Sequence, residues 1–519
     1  MGGAILSKAV VLVNGNTEII EFSVKTLLSD LINQFSIPMP CGGNHTCGKC
    51  KVKAKGALSE ISDDEKKALT MPEMINHIRL SCATFALGDC EIEITSSKMD
   101  HSAVLLQGEQ VVLSNDGYAI AVDIGTTTIA VYLYRDGKPL SSIGEQNNQA
   151  QFGADVITRI GANALEKIHS VIISQLSQMF EKVMKGNATA DQINQIVITG
   201  NTTMLHFLMG YDPSTIAVYP FTPHSLFDIQ TPASTFFSDY DNAMLYLPPC
   251  ISSYVGADMV CSIMTSKMCH NKDKTTILAD IGTNGEMALQ HQGKLYTCST
   301  AAGPALEGAT IKMGMVASKG AIDKVFLSDD GNIETHVIGE TKATGICGSG
   351  LISLMALLVK INLIDETGMI DDECGKYAHL IGEDEEGSFV QIGDSGVVLT
   401  QRDIRQFQLA KSAICAGIFT LLNECDIKAD EVSEFYICGG FGSYINPTDA
   451  AMIGLIPKQL HDKVKSMGNA AGMGAAMLFS DEEKEKARKL ATDATTIELS
   501  MSPYFMEQYV EQMRFGETL

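Results

Sequence analysis

The sequence predicts an α+β fold in which a small α+β domain precedes a two-lobed α/β domain. A hairpin, a helix and a closing strand follow one another within residues 1–97, and apolar strands alternate with helices from Tyr118 to about residue 480. A motif that begins at Asp123 recurs at Asp280. With 519 residues, of which 45% are hydrophobic, the chain is long and apolar enough for about three domains.

The net charge of the chain indicates which kinds of molecule it can bind. The formal net charge of −24 repels nucleic acids and anionic membrane surfaces, which favours small ligands and proteins with basic faces. We find no run of about 18 apolar residues, and the N-terminus has the features of neither an export signal nor a myristoylation signal. We therefore expect a cytoplasmic protein that binds neither nucleic acid nor membrane.

The sequence of the N-terminal region predicts a series of strands and helices. Residues 9–23 predict a hairpin around the Asn-Gly turn at 14–15, and residues 26–35 place apolar side chains at helical spacing. A second helix begins with the acidic residues at 63–65, and the alternation over 91–94 indicates a closing strand. These elements predict one small domain.

The sequence divides into four parts. Apolar residues at 104–106 and 111–113 in the second part indicate that part of it packs and does not form a free linker. The predicted parts are an N-terminal domain at 1–97, a connector at 98–117, a two-lobed domain at 118–480 and a helical tail at 481–519.

Four cysteines have ligand-like spacing: Cys41, Cys47 and Cys50 lie in one glycine-rich loop, and Cys82 follows after 31 intervening residues. Glycines let the backbone wrap closely around an inorganic core, and four thiolates satisfy a 2Fe-2S cluster. A four-cysteine zinc site is the alternative, but zinc sites usually present paired short knuckles and only one Cys-x2-Cys exists here. We expect His45 to face solvent and not to bind metal. With its hairpin and helix, the domain resembles the β-grasp of ferredoxins.

The motif at Asp123 and its repeat at Asp280 each join two apolar strands through a tight turn. Backbone N–H groups and threonine hydroxyls in such a turn can bind phosphate oxygens, and the aspartate can hold Mg²⁺ or its water. We predict that the two aspartates are catalytic. The predicted ATP-binding residues of the two loops are Gly125, Thr126, Thr127, Thr128, Gly282, Thr283, Asn284 and Gly285.

The two loops resemble the phosphate motifs of the superfamily of acetate and sugar kinases, heat-shock chaperones and actin. CGGFGSY at 438–444 is similar to the adenosine motif of that superfamily, which implies nucleotide contacts from Gly439, Gly440, Phe441 and Gly442. The alternative is that these glycines only end a strand. GNAAGMGAAM at 468–477 resembles its connecting helix, and we assign that stretch to packing.

Two more glycine-rich stretches precede helices and can either line the nucleotide or serve as turns. GICGSGLI at 345–352 contributes Gly348 and Ser349 as candidates. AAGPALEGAT at 301–310 contributes Glu307, which contacts the ribose in one interpretation and caps a helix in the other.

A 2Fe-2S domain fused to an ATPase with these motifs resembles the reductive activators of corrinoid-dependent methyltransferases, such as those that serve O-demethylases. The resemblance implies ATP- and Mg²⁺-dependent one-electron reduction of cob(II)alamin to cob(I)alamin on a corrinoid protein, with an upstream low-potential reductant and a homodimeric ATPase. Compared with longer members, this chain has little room for a middle domain between Ile94 and Tyr118.

Three other functions stay open at this point. An activator of a 2-hydroxyacyl-CoA dehydratase follows the same logic, although such activators typically bridge one 4Fe-4S cluster between two subunits. A redox-regulated small-molecule kinase would use the same phosphate loops. A regulatory module that binds ATP without hydrolysing it is the third alternative.

Overall fold

The structure, a computed structural model, describes residues 6–13, 16–23, 25–32, 35, 37, 39, 41–43, 45, 47–94, 110–114, 116–371, 375–384, 387–439 and 445–515. Its contacts divide the chain into two units. The first unit comprises Met1–Met99 and Asn147–Ile172, and the second comprises Asp100–Gln146 and Ile173–Leu519.

The first unit is built on a six-stranded sheet in the order β2-β1-β6-β4-β5, with β3 paired to β6. β1 and β2 form the expected antiparallel hairpin, whereas β1 and β6 pair in parallel. The strands are β1 Ser7–Val13, β2 Asn16–Phe22, β3 Thr26–Leu27, β4 Lys51–Leu58, β5 Ile78–Leu80 and β6 Phe85–Ile94. The short helices are α1 Leu28–Leu31, α2 Asp63–Ala68, α3 Met71–Ile75 and α4 Val156–Gly161.

The helix predicted over residues 26–35 is shorter than expected. Its first two residues join the sheet as β3, where Thr26 pairs with Ala86 and Leu27 with Phe85, so only one turn remains for α1. Helical periodicity in the sequence does not reveal that a sheet edge competes for the same residues. The predicted turn at 14–15 lies outside the described residues.

The second unit contains two six-stranded sheets in which five strands share one order, which confirms the predicted repeat; the sixth strand lies at opposite edges of the two sheets. In each sheet a central strand has the motif aspartate as its last residue but one, pairs in parallel with one neighbour and pairs antiparallel with the strand that follows the loop. The first sheet has β7 Tyr118–Ile124, β8 Thr128–Arg135, β9 Lys138–Gln146, β10 Ile193–Gly200, β11 Ile229–Pro232 and β12 Met244–Leu247. The second has β13 Thr276–Ile281, β14 Gly285–His291, β15 Lys294–Thr300, β22 Glu434–Cys438, β23 Val464–Ser466 and β24 Thr495–Thr496.

Two three-stranded sheets complete the β-structure that is described for this unit. They contain β16 Ala321–Leu327, β17 Ile333–Val337 and β18 Gly345–Ile346 in one sheet, and β19 Ile381–Asp384, β20 Gly387–Gln391 and β21 Val398–Thr400 in the other.

Helices cover the two large sheets, so their central strands are apolar on both faces. Ile120, Val122 and Ile277 are fully buried in these strands. The helices are α5 Leu165–Met184, α6 Thr202–Met209, α7 Ala257–Ser266, α8 Gly348–Lys360, α9 Gln401–Glu424, α10 Pro447–Met452, α11 Ala470–Met477, α12 Asp481–Asp493 and α13 Pro503–Glu511. In the described ranges, no helix is both long and apolar enough to cross a bilayer.

The described end of the connector packs, as its apolar residues predict. The Val111 N–H donates to the Gly137 carbonyl oxygen at 2.8 Å, and the Ser114 N–H donates to the Phe479 carbonyl oxygen at 3.2 Å. The earlier apolar residues of the connector lie outside the described residues.

Candidate functional site

The four cysteines lie in two neighbouring segments of the first unit, the loop before β4 and the turn after β5. Gly42, Gly43 and Gly48 have φ angles of 60°, 84° and 60°, a region that favours glycine because it lacks a Cβ. At Gly42 a Cβ would lie 3.0 Å from the Phe152 carbonyl oxygen. The glycines of this loop therefore allow the backbone conformation that the loop adopts around the cysteines.

The thiols form two pairs. The Sγ atoms of Cys50 and Cys82 lie 3.2 Å apart and share a hydrogen bond, which lowers the pKa of Cys50 to about 6 and raises that of Cys82. A hydrogen bond with Cys41, together with burial, raises the pKa of Cys47. Two thiolates for each of two irons is the ligand requirement of a 2Fe-2S cluster.

A single tetrahedral zinc requires at least three protein ligands around one point. Among the described residues, no group of three or more His, Cys, Asp or Glu side chains has the geometry to hold one metal ion. The two pairs of sulfurs match the two thiolates that each iron of a 2Fe-2S cluster takes.

Glu65, at the start of α2, fixes the segment around Cys82. Its carboxylate accepts hydrogen bonds from Arg79 Nε at 2.9 Å, the Leu80 N–H at 3.2 Å and Thr84 Oγ1 at 2.9 Å. Burial alone would raise the pKa of Glu65, but hydrogen bonds, chiefly from Arg79 and the Ser62 N–H, outweigh it and lower the pKa to about 2. The capping box that begins at Ser62 was the available sequence signal for this residue.

His45 is half-buried and hydrogen-bonded, not simply solvent-facing. Its Nε2 lies 3.0 Å from the Cys82 carbonyl oxygen, and its Nδ1 lies 3.1 Å from Asp64 Oδ2. The ring therefore links the backbone of a predicted ligand to α2.

In the second unit, the two repeated loops line a common cavity. Each loop closes by a hydrogen bond across its turn: the Gly125 N–H donates to the Thr128 carbonyl oxygen, and the Gly282 N–H donates to the Asn284 carbonyl oxygen, both at 3.0 Å. The structure brings together the predicted residues Asp123, Gly125, Thr126, Thr127, Thr128, Asp280, Gly282, Thr283, Asn284, Glu307, Gly348, Ser349 and Gly439.

The other predicted residues have different positions. Gly285 is buried at the start of β14 and is not part of the cavity lining. Gly440, Phe441 and Gly442 lie outside the described residues. Gly439 has a φ of 100°, and a Cβ there would meet Asp280 Oδ1 at 2.5 Å, so a side chain at this position would obstruct the aspartate.

Besides Glu307, four carboxyl groups lie in the lining of the cavity; Glu286 is buried, and Asp123, Asp258 and Asp280 are half-buried. Burial and the neighbouring Asp280 raise the pKa of Asp123 to about 7, and burial and Glu307 raise that of Asp280 to about 6. Burial and both aspartates raise the pKa of Asp258 to about 8, and the pKa of Glu286 is raised well above its ordinary value. Asp258 and Glu286 were not predicted from the sequence.

The described lining of the cavity is acidic. Among the described residues that line it, none is Lys, Arg or His, whereas five are Asp or Glu. A polyphosphate would therefore meet like charges unless divalent cations accompany it. The chemistry of the donor set fits nucleotide bound as its Mg²⁺ complex.

Two asparagines position the loops and were not predicted as site residues. Asn201 Nδ2 donates to Thr126 Oγ1 at 3.1 Å while its Oδ1 caps α6. Asn469 caps α11 through the Gly472 N–H and hydrogen-bonds Asp123. Because Asn469 and Ala471 also line the cavity, the stretch that we assigned to packing contributes to the site as well.

Sequence profiles of three families match successive parts of the chain. A 2Fe-2S iron-sulfur cluster binding domain matches residues 11–87, the RACo middle region matches 118–271, and the C-terminal domain of RACo, the ASKHA domain, matches 274–518. The RACo middle region begins after the stretch between Ile94 and Tyr118, where the sequence left little room for a middle domain, and it includes the first large sheet.

Similarity to named proteins extends over most of the chain. The corrinoid activation enzyme RamQ of Eubacterium limosum is 34% identical over 435 residues, which are 78% of this chain and 71% of RamQ. A [Co(II) methylated amine-specific corrinoid protein] reductase of Methanosarcina barkeri is 25% identical over 72% of this chain and 73% of its own. A solved structure of a reductive activator for corrinoid, iron-sulfur protein aligns over 98% of both chains with 28% identity and a TM-score of 0.71.

The fold and the two sites define an iron-sulfur protein that carries an ATP-binding domain of the ASKHA type. The chain belongs to the family of corrinoid protein activators that includes RamQ.

Proposed function

We propose that this chain is an ATP-hydrolysing iron-sulfur reductase that activates a corrinoid protein by reducing cob(II)alamin to cob(I)alamin. The observation that carries the proposal is the occurrence, in one chain, of paired cysteines and an acidic two-loop cavity. The names of the relatives support the choice of a corrinoid protein over the other low-potential enzymes that stay open from sequence.

Cys41, Cys47, Cys50 and Cys82 would hold the cluster in this proposal, and Glu65 would keep the Cys82 segment in place. When bound, a plant-type 2Fe-2S cluster supplies an electron near about −400 mV. Each additional ~59 mV of uphill potential costs about 1.4 kcal/mol for one electron, so a more negative cobalt couple is poorly reduced without a second source of free energy.

The second unit would supply that free energy. Asp123 and Asp280 would hold Mg²⁺ or its water, and the backbone and hydroxyl donors of the two loops would bind the phosphates. Gly348, Ser349 and the segment 439–442 would lie along the nucleoside. Nucleotide can favour the reduced product state only through its different affinity for the two conformations of the protein.

The partners in this proposal follow from the reaction. The electron acceptor is the corrinoid protein of a methyltransferase system, and an upstream low-potential reductant reloads the cluster. We propose that the protein acts in the cytoplasm and as a homodimer, as the family resemblance implies.

An anaerobic activation assay tests the proposal. The purified chain, with a reductant and a cob(II)alamin protein, should yield cob(I)alamin only when both ATP and Mg²⁺ are present, as followed by the absorbance of the corrinoid. Asp280→Ala should abolish the reduction while iron and sulfide content stay unchanged. Purified protein that contains zinc in place of iron and sulfide would disprove the proposal.

A further inference from the structure

Glu307 occupies a central position between the two repeated loops. It ends the 3-10 helix Pro304–Glu307, which lies between Gly303 and Gly308 with φ angles of 76° and 80°. The Gly303 N–H donates to the Thr283 carbonyl oxygen at 2.8 Å, so the segment is attached to the second loop through its backbone.

The Glu307 carboxylate accepts hydrogen bonds from both loops. Oε1 accepts from the Thr283 N–H at 2.9 Å, and Oε2 accepts from Thr283 Oγ1 at 2.8 Å and from Thr127 Oγ1. The two hydroxyl oxygens lie 3.5 Å apart, so one carboxylate joins a donor of the first loop to donors of the second.

These donors are of the type that a polyphosphate requires. A phosphate group, like a carboxylate, presents anionic oxygens that accept several N–H and O–H hydrogen bonds at once. The hydroxyls of Thr127 and Thr283 and the Thr283 N–H cannot each donate their one hydrogen fully to Glu307 and to a phosphate. The carboxylate would also repel a phosphate group placed beside it.

We propose that Glu307 is an intramolecular substitute for the terminal phosphates of ATP, which must displace it to reach the two loops. This inference rests on the proposed function of the cavity as the ATP site. It makes Glu307 a positioning residue that holds the two loops together and competes with nucleotide. It also assigns Glu307 a role different from the ribose contact or the helix cap expected from the sequence.

The competition predicts an unusual effect of substitution. Glu307→Gln keeps the shape of the side chain but removes its charge, so the affinity for Mg-ATP should increase by about tenfold, the scale of one charge-assisted hydrogen bond. The affinity for AMP should change less than twofold, because AMP lacks the phosphates that would displace the side chain.

Isothermal titration of the full chain, purified anaerobically with its cluster, measures both affinities. Glu424→Gln, at the exposed end of α9, is the control with the same change in net charge. Glu307→Ala is a second variant that removes the carboxylate altogether and should also bind Mg-ATP more tightly. Melting temperatures and iron content show whether each variant is folded.

The outcomes separate the two proposals. Tighter binding of Mg-ATP, but not of AMP, by the Glu307 variants supports the substitute role. Unchanged or weaker Mg-ATP binding by folded Glu307 variants, when the unmodified chain binds Mg-ATP, overturns this inference and leaves the proposed function standing. An unmodified chain that does not bind Mg-ATP at all overturns both.

Discussion

The two units place their acidic side chains in opposite electrostatic surroundings, and the pKa shifts of these groups have opposite directions. In the first unit, Glu65 is fully buried but surrounded by donors, chiefly Arg79, and its pKa falls to about 2. In the second unit, Asp123, Asp258 and Asp280 lie together in the cavity lining, and their pKa values rise to about 7, 8 and 6.

This difference in surroundings distinguishes a carboxylate with a structural role, Glu65, from carboxyl groups that we expect to bind a ligand. The first unit supplies the counter-charge of Glu65 from its own residues, and loss of either partner would leave a buried charge unpaired. The carboxyl groups of the second unit repel one another and gain a counter-charge when a cation enters with the nucleotide. Four substitutions test this contrast.

The largest expected effect is at the cysteines, where Cys50→Ala should abolish electron transfer to the corrinoid protein. One iron would lose one of its two thiolates, so bound iron and sulfide should fall and the visible absorbance of the cluster should disappear. Mg-ATP binding should be retained. Cys90→Ala, which removes another buried thiol of the same unit, should keep the cluster; its loss there would show that the effect is not specific to the ligand set.

Glu65→Gln should destabilise the first unit by about 3–5 kcal/mol, because it leaves the buried Arg79 without its ionic partner. Chemical denaturation followed by the cluster absorbance measures the loss. Glu60→Gln, which changes an exposed side chain nearby, should have little effect. If the two variants were equally stable, the ion pair of Glu65 with Arg79 would not contribute to the stability of the first unit.

The same group predicts acid sensitivity. Because the folded pKa of Glu65 is about 2 and its ordinary value is 4.5, its stabilising contribution is complete above about pH 4.5 and is lost as the pH falls towards 2. Denaturation midpoints across this range should fall more for the unmodified chain than for Glu65→Gln. Parallel curves would contradict the assignment.

Asp258→Asn should lower the rate of ATP hydrolysis by about a hundredfold, the scale of one lost electrostatic contact to the charged centre. Its folding stability should be unchanged or increased, since one of the mutually repelling carboxyl groups is removed. Measurements of ATP turnover and melting temperature on the same variant test whether activity falls while stability does not. Asp273→Asn, at an exposed position, is the control, and a marked loss of stability in Asp258→Asn would contradict the contrast between the units.

The smallest effect concerns a buried cation of the second unit. Lys411 Nζ donates to the carbonyl oxygens of Gln512 and Arg514, and burial lowers its pKa to about 8. Lys411→Met should leave these carbonyls without their donor and cost about 1–3 kcal/mol. Faster hydrogen exchange at the end of α13 should report the loss, whereas Lys489→Met, on the exposed face of α12, should leave exchange unchanged. Equal exchange in both would show that Lys411 does not hold the segment.

Local spacing made the cysteine set predictable, because three predicted ligands lie within ten residues of one another. Glu286 was missed although a signal existed: the antiparallel return of the second loop pairs it with Asp280, whereas Ala130 is the corresponding partner of Asp123. Asp258 had no comparable signal. It reaches the cavity because α7 begins beside Asn201, a contact that tertiary packing alone creates.

The crossing of α11 over α7 near Gly474 helps to position the start of α7 beside Asn201. A Cβ at Gly474 would collide with the Cys261 carbonyl oxygen, so α11 meets the backbone of α7 directly. Asp258 lies in the first turn of α7, one turn before Cys261. A side chain at position 474, which is outside the cavity lining, would therefore require α11 and α7 to move apart, and Asp258 belongs to the helix that would move.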